Sequence, residues 1–303
     1  MNEFLYLIRR ELWEHRALYV VPIVFAGVLL LSVTVGIVRG TTYVGSDHIA
    51  HQLQFLSPGE AGQALSVMTL GAWLLFSIVS AFVVTFYMLD ALYGDRKDRS
   101  VLFWKSLPIG DTETVLSKLA VATLVMPAIV IAAVLVTMLA LLVILSVAVA
   151  FSGANPFTLL WSELPVFRIV GSMISIELTR SLWFLPFTGW LLLASATAKR
   201  TPFLLAALVP LGLIFAEKLA FNTQWLGDTV DGYVERFFRP LFGDISELRL
   251  SPGEDGIEMV GDLGGFGAVF DVLTDPVLLV GLVVGVAFIM LTIQMRKRRI
   301  DID

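Results

Sequence analysis

Asp90-Ala-Leu-Tyr-Gly-Asp-Arg-Lys-Asp-Arg-Ser-Val-Leu-Phe-Trp-Lys-Ser-Leu-Pro-Ile-Gly-Asp111 is a short charged stretch caught between two long apolar ones. Asp95, Arg96, Lys97, Asp98 and Arg99 cannot lie in hydrocarbon, where an isolated charge is costly. The flanking runs, 66–89 and 119–151, each reach the ~20 residues that cross a bilayer core. The chain therefore leaves the membrane over 90–118 and returns to it. That pattern defines an all-α polytopic membrane protein.

Working outward, the rest of the chain agrees. It has 303 residues, 57% of them apolar, and a mean hydropathy of +0.84. Only 16% are charged, against the ~25% usual in soluble domains. Six spans are predicted at 18–38, 66–89, 119–151, 177–197, 203–221 and 276–295, all in one transmembrane domain covering 1–303. The third is long, and Pro127 near its start is a kink site. Pro186, Pro210 and the Gly281/Gly285 pair are irregular points inside spans, where Pro bends a helix and Gly permits close packing. No cysteine is present, which excludes disulfides and thiolate chemistry. The apolar run 18–38 exceeds the 7–15 residues of a signal-peptide core, so it reads as a retained span.

Lys and Arg set the expected orientation. Arg9, Arg10, Arg16, Arg96, Lys97, Arg99, Lys105, Lys118, Lys199, Arg200, Arg296, Lys297, Arg298 and Arg299 fall on one side, fourteen of the 21 basic residues. The positive-inside rule makes that side, and both termini, cytoplasmic. Residues 1–17 read as an interfacial helix on the inner leaflet. Phe4, Leu5, Ile8 and Leu12 keep helical spacing, with Arg9, Arg10 and Glu14 elsewhere on the wheel. Arg296–Arg299 read as an inner-leaflet anchor.

On the other side, residues 152–176 carry Trp161 and Phe167, suited to an interface. Residues 222–274 form an acidic extracellular loop with room for a small external cap. Ser57-Pro58-Gly59-Glu60, Ser251-Pro252-Gly253-Glu254 and Asp275-Pro276 are helix starts. Asp47, His48 and His51 are a weak metal pattern, and a solvated loop explains them as well. No metal or other cofactor is expected in this chain.

Two sets of residues carry the candidate chemistry. Glu177 and Arg180 in span four, and Glu217 and Lys218 in span five, sit at similar depth on adjacent antiparallel helices. They read as a gate or latch that exchanges partners, or as side chains snorkelling to the outer interface. The second set is the helix expected over 98–107. Val101, Leu102, Phe103 and Trp104 are apolar anchors for a groove on a partner. Arg96, Arg99 and Lys105 supply rim charges. A helix lying on anionic headgroups explains the same residues.

Basic residues, an apolar-aromatic run, Ser106-Leu107-Pro108 and then Ser117-Lys118 at the next span resemble the permease subunit of ABC-2 type transporters. Ile8-Arg9-Arg10-Glu11-Leu12-Trp13-Glu14-His15-Arg16 is similar to the amphipathic elbow helix of that family. The resemblance implies a coupling helix at 98–107 and a dimer, with itself or a similar permease. It also implies two cytosolic ATPase subunits, which bind ATP and Mg. Export across a bacterial inner membrane follows from it as well, and the apolar spans point to a hydrophobic or amphipathic cargo. The chain has no G-x-x-x-x-G-K-[ST] phosphate cradle, so ATP hydrolysis is expected in another chain. Nucleic-acid binding has no support.

Two other classes compete. An intramembrane enzyme needs a nucleophile, base or metal set facing a cavity, and the spans lack His and Cys. An ion-coupled secondary transporter would use the charges of spans four and five, yet no inverted repeat is visible.

Overall fold

A computed structural model describes residues 2–39, 58–98, 110–151, 153, 155–162, 166–242 and 266–298. The described residues are helical, with no strand among them. The α-helices are α1 Asn2–Glu14, α2 Ala17–Arg39, α3 Pro58–Lys97, α4 Asp111–Ala120, α5 Met126–Phe151 and α6 Val166–Trp183. There follow α7 Leu185–Thr197, α8 Pro202–Phe221, α9 Trp225–Phe242, α10 Phe266–Thr274 and α11 Pro276–Arg298. Among the described residues five stretches are long and apolar enough to cross a membrane: Ala17–Arg39, Gly71–Lys97, Asp111–Phe151, Pro202–Phe221 and Pro276–Arg298. Among its described residues the protein is thus all-helical, and it is a membrane protein.

The sequence predicts six spans and five helices qualify; the difference lies at 177–197. That stretch is divided between α6 and α7 at Phe184 (φ −85°, ψ 11°). Pro186 is the physical reason. It has no N–H to donate to Leu182, and its ring crowds that carbonyl. The backbone turns out of helical geometry at Phe184, and Pro186 sits in the first turn of a new helix, where its missing donor costs nothing.

Pro127 acts on the third expected span in a related way. A five-residue π turn, Val121–Val125, immediately precedes α5. The wider turn absorbs the proline ring, whose clash falls on Thr123. The Thr123 hydroxyl donates to Leu119 O at 2.9 Å. Pro210, by contrast, lies inside α8 without ending it.

By its internal contacts the chain divides into two units. One comprises His15–Val83 and Met126–Ile174. In it α2 packs on α5, Phe25 meets Phe76 edge to face at 4.9 Å, and the Trp161 indole donates to Ser146 Oγ at 2.9 Å. Phe167 is 96% exposed, as a lipid-facing or interfacial side chain would be.

The other unit comprises Met1–Glu14, Val84–Val125 and Ser175–Asp303. Its closest pairing is α7 on α11. A Cβ on Gly189 would stand 3.0 Å from Gly285 O, and one on Gly285 would stand 3.0 Å from Leu185 C and Pro186 N. At either point a methyl group would press on backbone atoms that must yield to admit it. Gly281 likewise leaves the space taken by the Tyr233 ring.

The expected acidic loop contains two helices among its described residues. In α9, Asp228, Asp231 and Glu235 are exposed while Phe237 is buried. Asp275 caps α11 as its sequence predicts, accepting from Val277 N at 2.8 Å. Residues 40–57, 99–109 and 243–265 lie outside the described ones. So do the metal pattern at 47–51 and the helix start at 251–254.

Candidate functional site

Glu11 is the unexpected residue of α1. Phe4, Leu7, Ile8 and Glu11 share one face by i, i+3, i+4, i+7 spacing. Leu7 and Glu11 are buried, while Leu5, Tyr6 and Trp13 are exposed. A carboxylate at the centre of an inward face needs partners. Lys118 of α4 provides the first, with Nζ 2.9 and 3.1 Å from the two carboxylate oxygens. Both side chains are 1% exposed. Arg10 donates to Glu11 Oε1 at 2.9 Å, and the Tyr87 hydroxyl donates to Oε2 at 3.1 Å.

The cluster continues through the end of α3. Lys118 Nζ lies 3.5 Å from Asp95 Oδ2, and Arg296 Nη1 lies 3.6 Å from the same oxygen. Arg296 Nε also donates to Asp111 Oδ1 at 2.8 Å. Three carboxylates, Glu11, Asp95 and Asp111, thus meet three cations, Arg10, Lys118 and Arg296. Removing charges from water costs several kcal/mol per ion, so such a cluster adds little net stability. Its effect is geometric: each partner holds the others in place, because any one left alone is expensive. Four helices, α1, α3, α4 and α11, are held this way.

Two of these charges flank the undescribed segment 99–109. Asp95 precedes it in the last turn of α3, and Asp111 opens α4 behind it. Both ends of that segment are therefore anchored in one buried network. Gly110 N donates to Glu113 Oε2 at 3.1 Å and fixes the start of α4.

Arg96 supplies a second fixing. It donates to Ser195 O at 2.6 Å and Ala198 O at 2.9 Å, carbonyls at the C-terminus of α7. The Ser195 hydroxyl accepts from Leu92 N and Tyr93 N, both at 3.0 Å. The Tyr93 hydroxyl donates to Arg200 O at 2.6 Å. Arg96 is thus bound within the chain. Arg99, Val101, Leu102, Phe103, Trp104 and Lys105 lie outside the described residues.

The structure does not bring the four latch residues into one set. Arg180 Nε donates to Glu177 Oε2 at 2.9 Å, within one turn of α6. Glu217 instead caps α9. It accepts from Thr223 Oγ1 at 2.7 Å, Trp225 N at 2.7 Å and Leu226 N at 2.9 Å. Between α8 and α9, Asn222 takes a left-handed conformation (φ 53°), and its N–H returns to Lys218 O, a common way to end a helix.

Tyr233 closes the break between α6 and α7. Its hydroxyl donates to Trp183 O at 2.6 Å, and the Trp183 indole donates to Tyr233 O at 3.0 Å. Burial pushes the Tyr233 phenol up to about 12, so it stays a neutral donor. Phe184, Phe187 and Phe237 pack around this pair.

Sequence reasoning missed Glu11, Asp95, Asp111, Lys118 and Arg296 as a group. Two signals were present: Glu11 interrupts an apolar face, and Lys118 stands in the helix that becomes a span. Arg296, expected as part of a lipid anchor, pairs within the chain, whereas Lys297 and Arg298 are exposed. Among the described residues no group of His, Cys, Asp and Glu is arranged to hold a metal. No family model, curated protein or solved structure matches the chain.

Proposed function

We propose that this chain is the permease subunit of an ABC-2 type transporter. It lines the path of a hydrophobic or amphipathic cargo and couples to separate cytosolic ATPases. The supporting observation is the ion-pair network of buried Glu11, Lys118 and Asp95 with half-buried Arg296 and Asp111 at both ends of the 99–109 segment. A helix that receives force from a partner must pass it on. Ends fixed in a rigid multi-helix frame move that frame, while a helix on loose ends would absorb the push. In this reading 98–107 is the coupling helix, α1 the elbow and the α6–α7 pair the remaining crossing, which makes six. Both termini face the cytoplasm of a bacterial cell, and the working unit holds two permeases and two ATPases.

The test is a mild-detergent pull-down of the tagged chain from its native cells. Recovery of one ~25–35 kDa ATPase per permease, bearing its own phosphate cradle, is expected. Trp104→Ala and Phe103→Asp should lose the ATPase while the permease stays folded. Recovery of the folded chain alone would count against coupling and turn attention to ion-coupled transport.

A further inference from the structure

The corner between α8 and α9 is built to be rigid. Glu217 pins the first amides of α9, and Asn222 ends α8. In this crease lies an open cavity of about 360 Å³, with Leu211 and Phe215 on an apolar wall and Lys218, Asp228 and Asp231 at its polar end. Among the described residues these three charges make no ion pair and no side-chain hydrogen bond. That sets the cavity apart from the cluster around Lys118, where carboxylates and cations satisfy each other.

Position and charge together specify an occupant. Lys218 lies about 24 Å along α8 from Pro202 at ~1.5 Å per residue, near the depth where hydrocarbon gives way to headgroups. The apolar wall belongs to a helix long and apolar enough to span the membrane. Asp228 and Asp231, at i, i+3, project from neighbouring positions on α9.

We propose that this crease binds a phospholipid with a primary-amine zwitterionic headgroup, of the phosphatidylethanolamine kind. The phosphate diester lies against the Lys218 ammonium, and the headgroup ammonium lies against the Asp228 and Asp231 carboxylates. The acyl chains follow Leu211 and Phe215. A primary ammonium has three N–H donors for two carboxylates. A quaternary choline has none, and a glycerol headgroup brings no positive charge. The crease therefore discriminates by headgroup chemistry and not by charge alone.

Native mass spectrometry of the full chain, released from vesicles of equal phosphatidylethanolamine, phosphatidylcholine and phosphatidylglycerol, tests this. Phosphatidylethanolamine should be retained preferentially. The double variant Asp228→Asn/Asp231→Asn should lose that preference by about two- to five-fold, the scale of exposed ion pairs. Lys218→Gln should lower retention of all three lipids. These side chains face outward, so folding should survive, and circular dichroism verifies that it does. Equal retention of the three lipids by the native chain would overturn the proposal, as would an unchanged preference in the double variant. Displacement of the lipid by soluble glycerophosphoethanolamine at comparable concentration would also overturn it, because the acyl chains would then contribute nothing.

Discussion

Two regions of one structural unit treat charge in contrary ways. Around Lys118 the charges are buried or half-buried and each is answered by another. At the α8–α9 corner, Lys218, Asp228 and Asp231 stand open to the surroundings, and only Glu217 is engaged, as a helix cap. The first arrangement fixes helices to each other and leaves no ligand-binding capacity over. The second fixes a corner through one carboxylate and leaves three charges available. A charge in a membrane protein is therefore informative only once its partners are known.

The contrast should break most visibly at Lys118. Lys118→Met removes the buried cation shared by Glu11 and Asp95, leaving Glu11 only Arg10 and Tyr87, and should cost about 3–5 kcal/mol, as removal of one partner from a buried pair does. Unfolding of the detergent-purified protein measures it. Glu11→Leu with Lys118→Met should recover part of that loss, since the buried pair goes together while Arg10 keeps Glu14, Tyr87 keeps the carbonyl of residue 118 and Asp95 keeps Arg296. A single variant as stable as the native chain would mean that the ammonium is solvated after all.

The next largest effect belongs to the helix contact beside that network. Gly285→Ala places a Cβ against Leu185 and Pro186 and should cost about 1–3 kcal/mol through overpacking. Gly27→Ala meets no atom within 4 Å and serves as the control. Equal stability of the two variants would remove the close α7–α11 contact.

At the corner the expected effect is local. Glu217→Ala should speed hydrogen exchange at the Trp225 and Leu226 amides while leaving the global unfolding midpoint nearly unchanged. Unaltered exchange there would show that water replaces the cap.

The smallest effect is that of Glu14, at the rim of the buried network. Burial raises its carboxyl above the usual 4.5, outweighing the lowering by Arg10. A raised acid favours folding when protonated. Its contribution is present below the ordinary carboxylate value and is lost as pH rises through the raised one. Comparing native and Glu14→Gln stability from pH 4 to 7, a range covering ordinary and moderately raised carboxylates, should show the native chain losing slightly to the variant as pH rises, and only in that window. Parallel curves would place Glu14 in open solvent.

Some of this was legible in single residues. Asp275-Pro276 reads as a helix start because cap and first turn are adjacent in sequence, and Pro58 opens α3 for the same local reason. Pro127 and Pro186 announced irregular helix, although whether each would give a π turn or a full break was not written beside them. Lys118 was legible only as a span boundary. Its partners lie 107 residues away at Glu11 and at Asp95, and no spacing rule links them. Arg296 looked like the lysine and arginines around it until Asp111, 185 residues earlier, proved to be its acceptor.

The sequence by itself determined that this chain is helical and membrane-spanning. Apolar run length answers to bilayer thickness, and that relation needs no neighbours. It also determined where α11 begins, because the Asp275 cap satisfies an amide within its own first turn. Tertiary structure alone decided which charges are buried in mutual contact and which remain open. A charge is stable in a low-dielectric interior only beside a specific partner, and partners far apart in sequence are chosen by how helices pack.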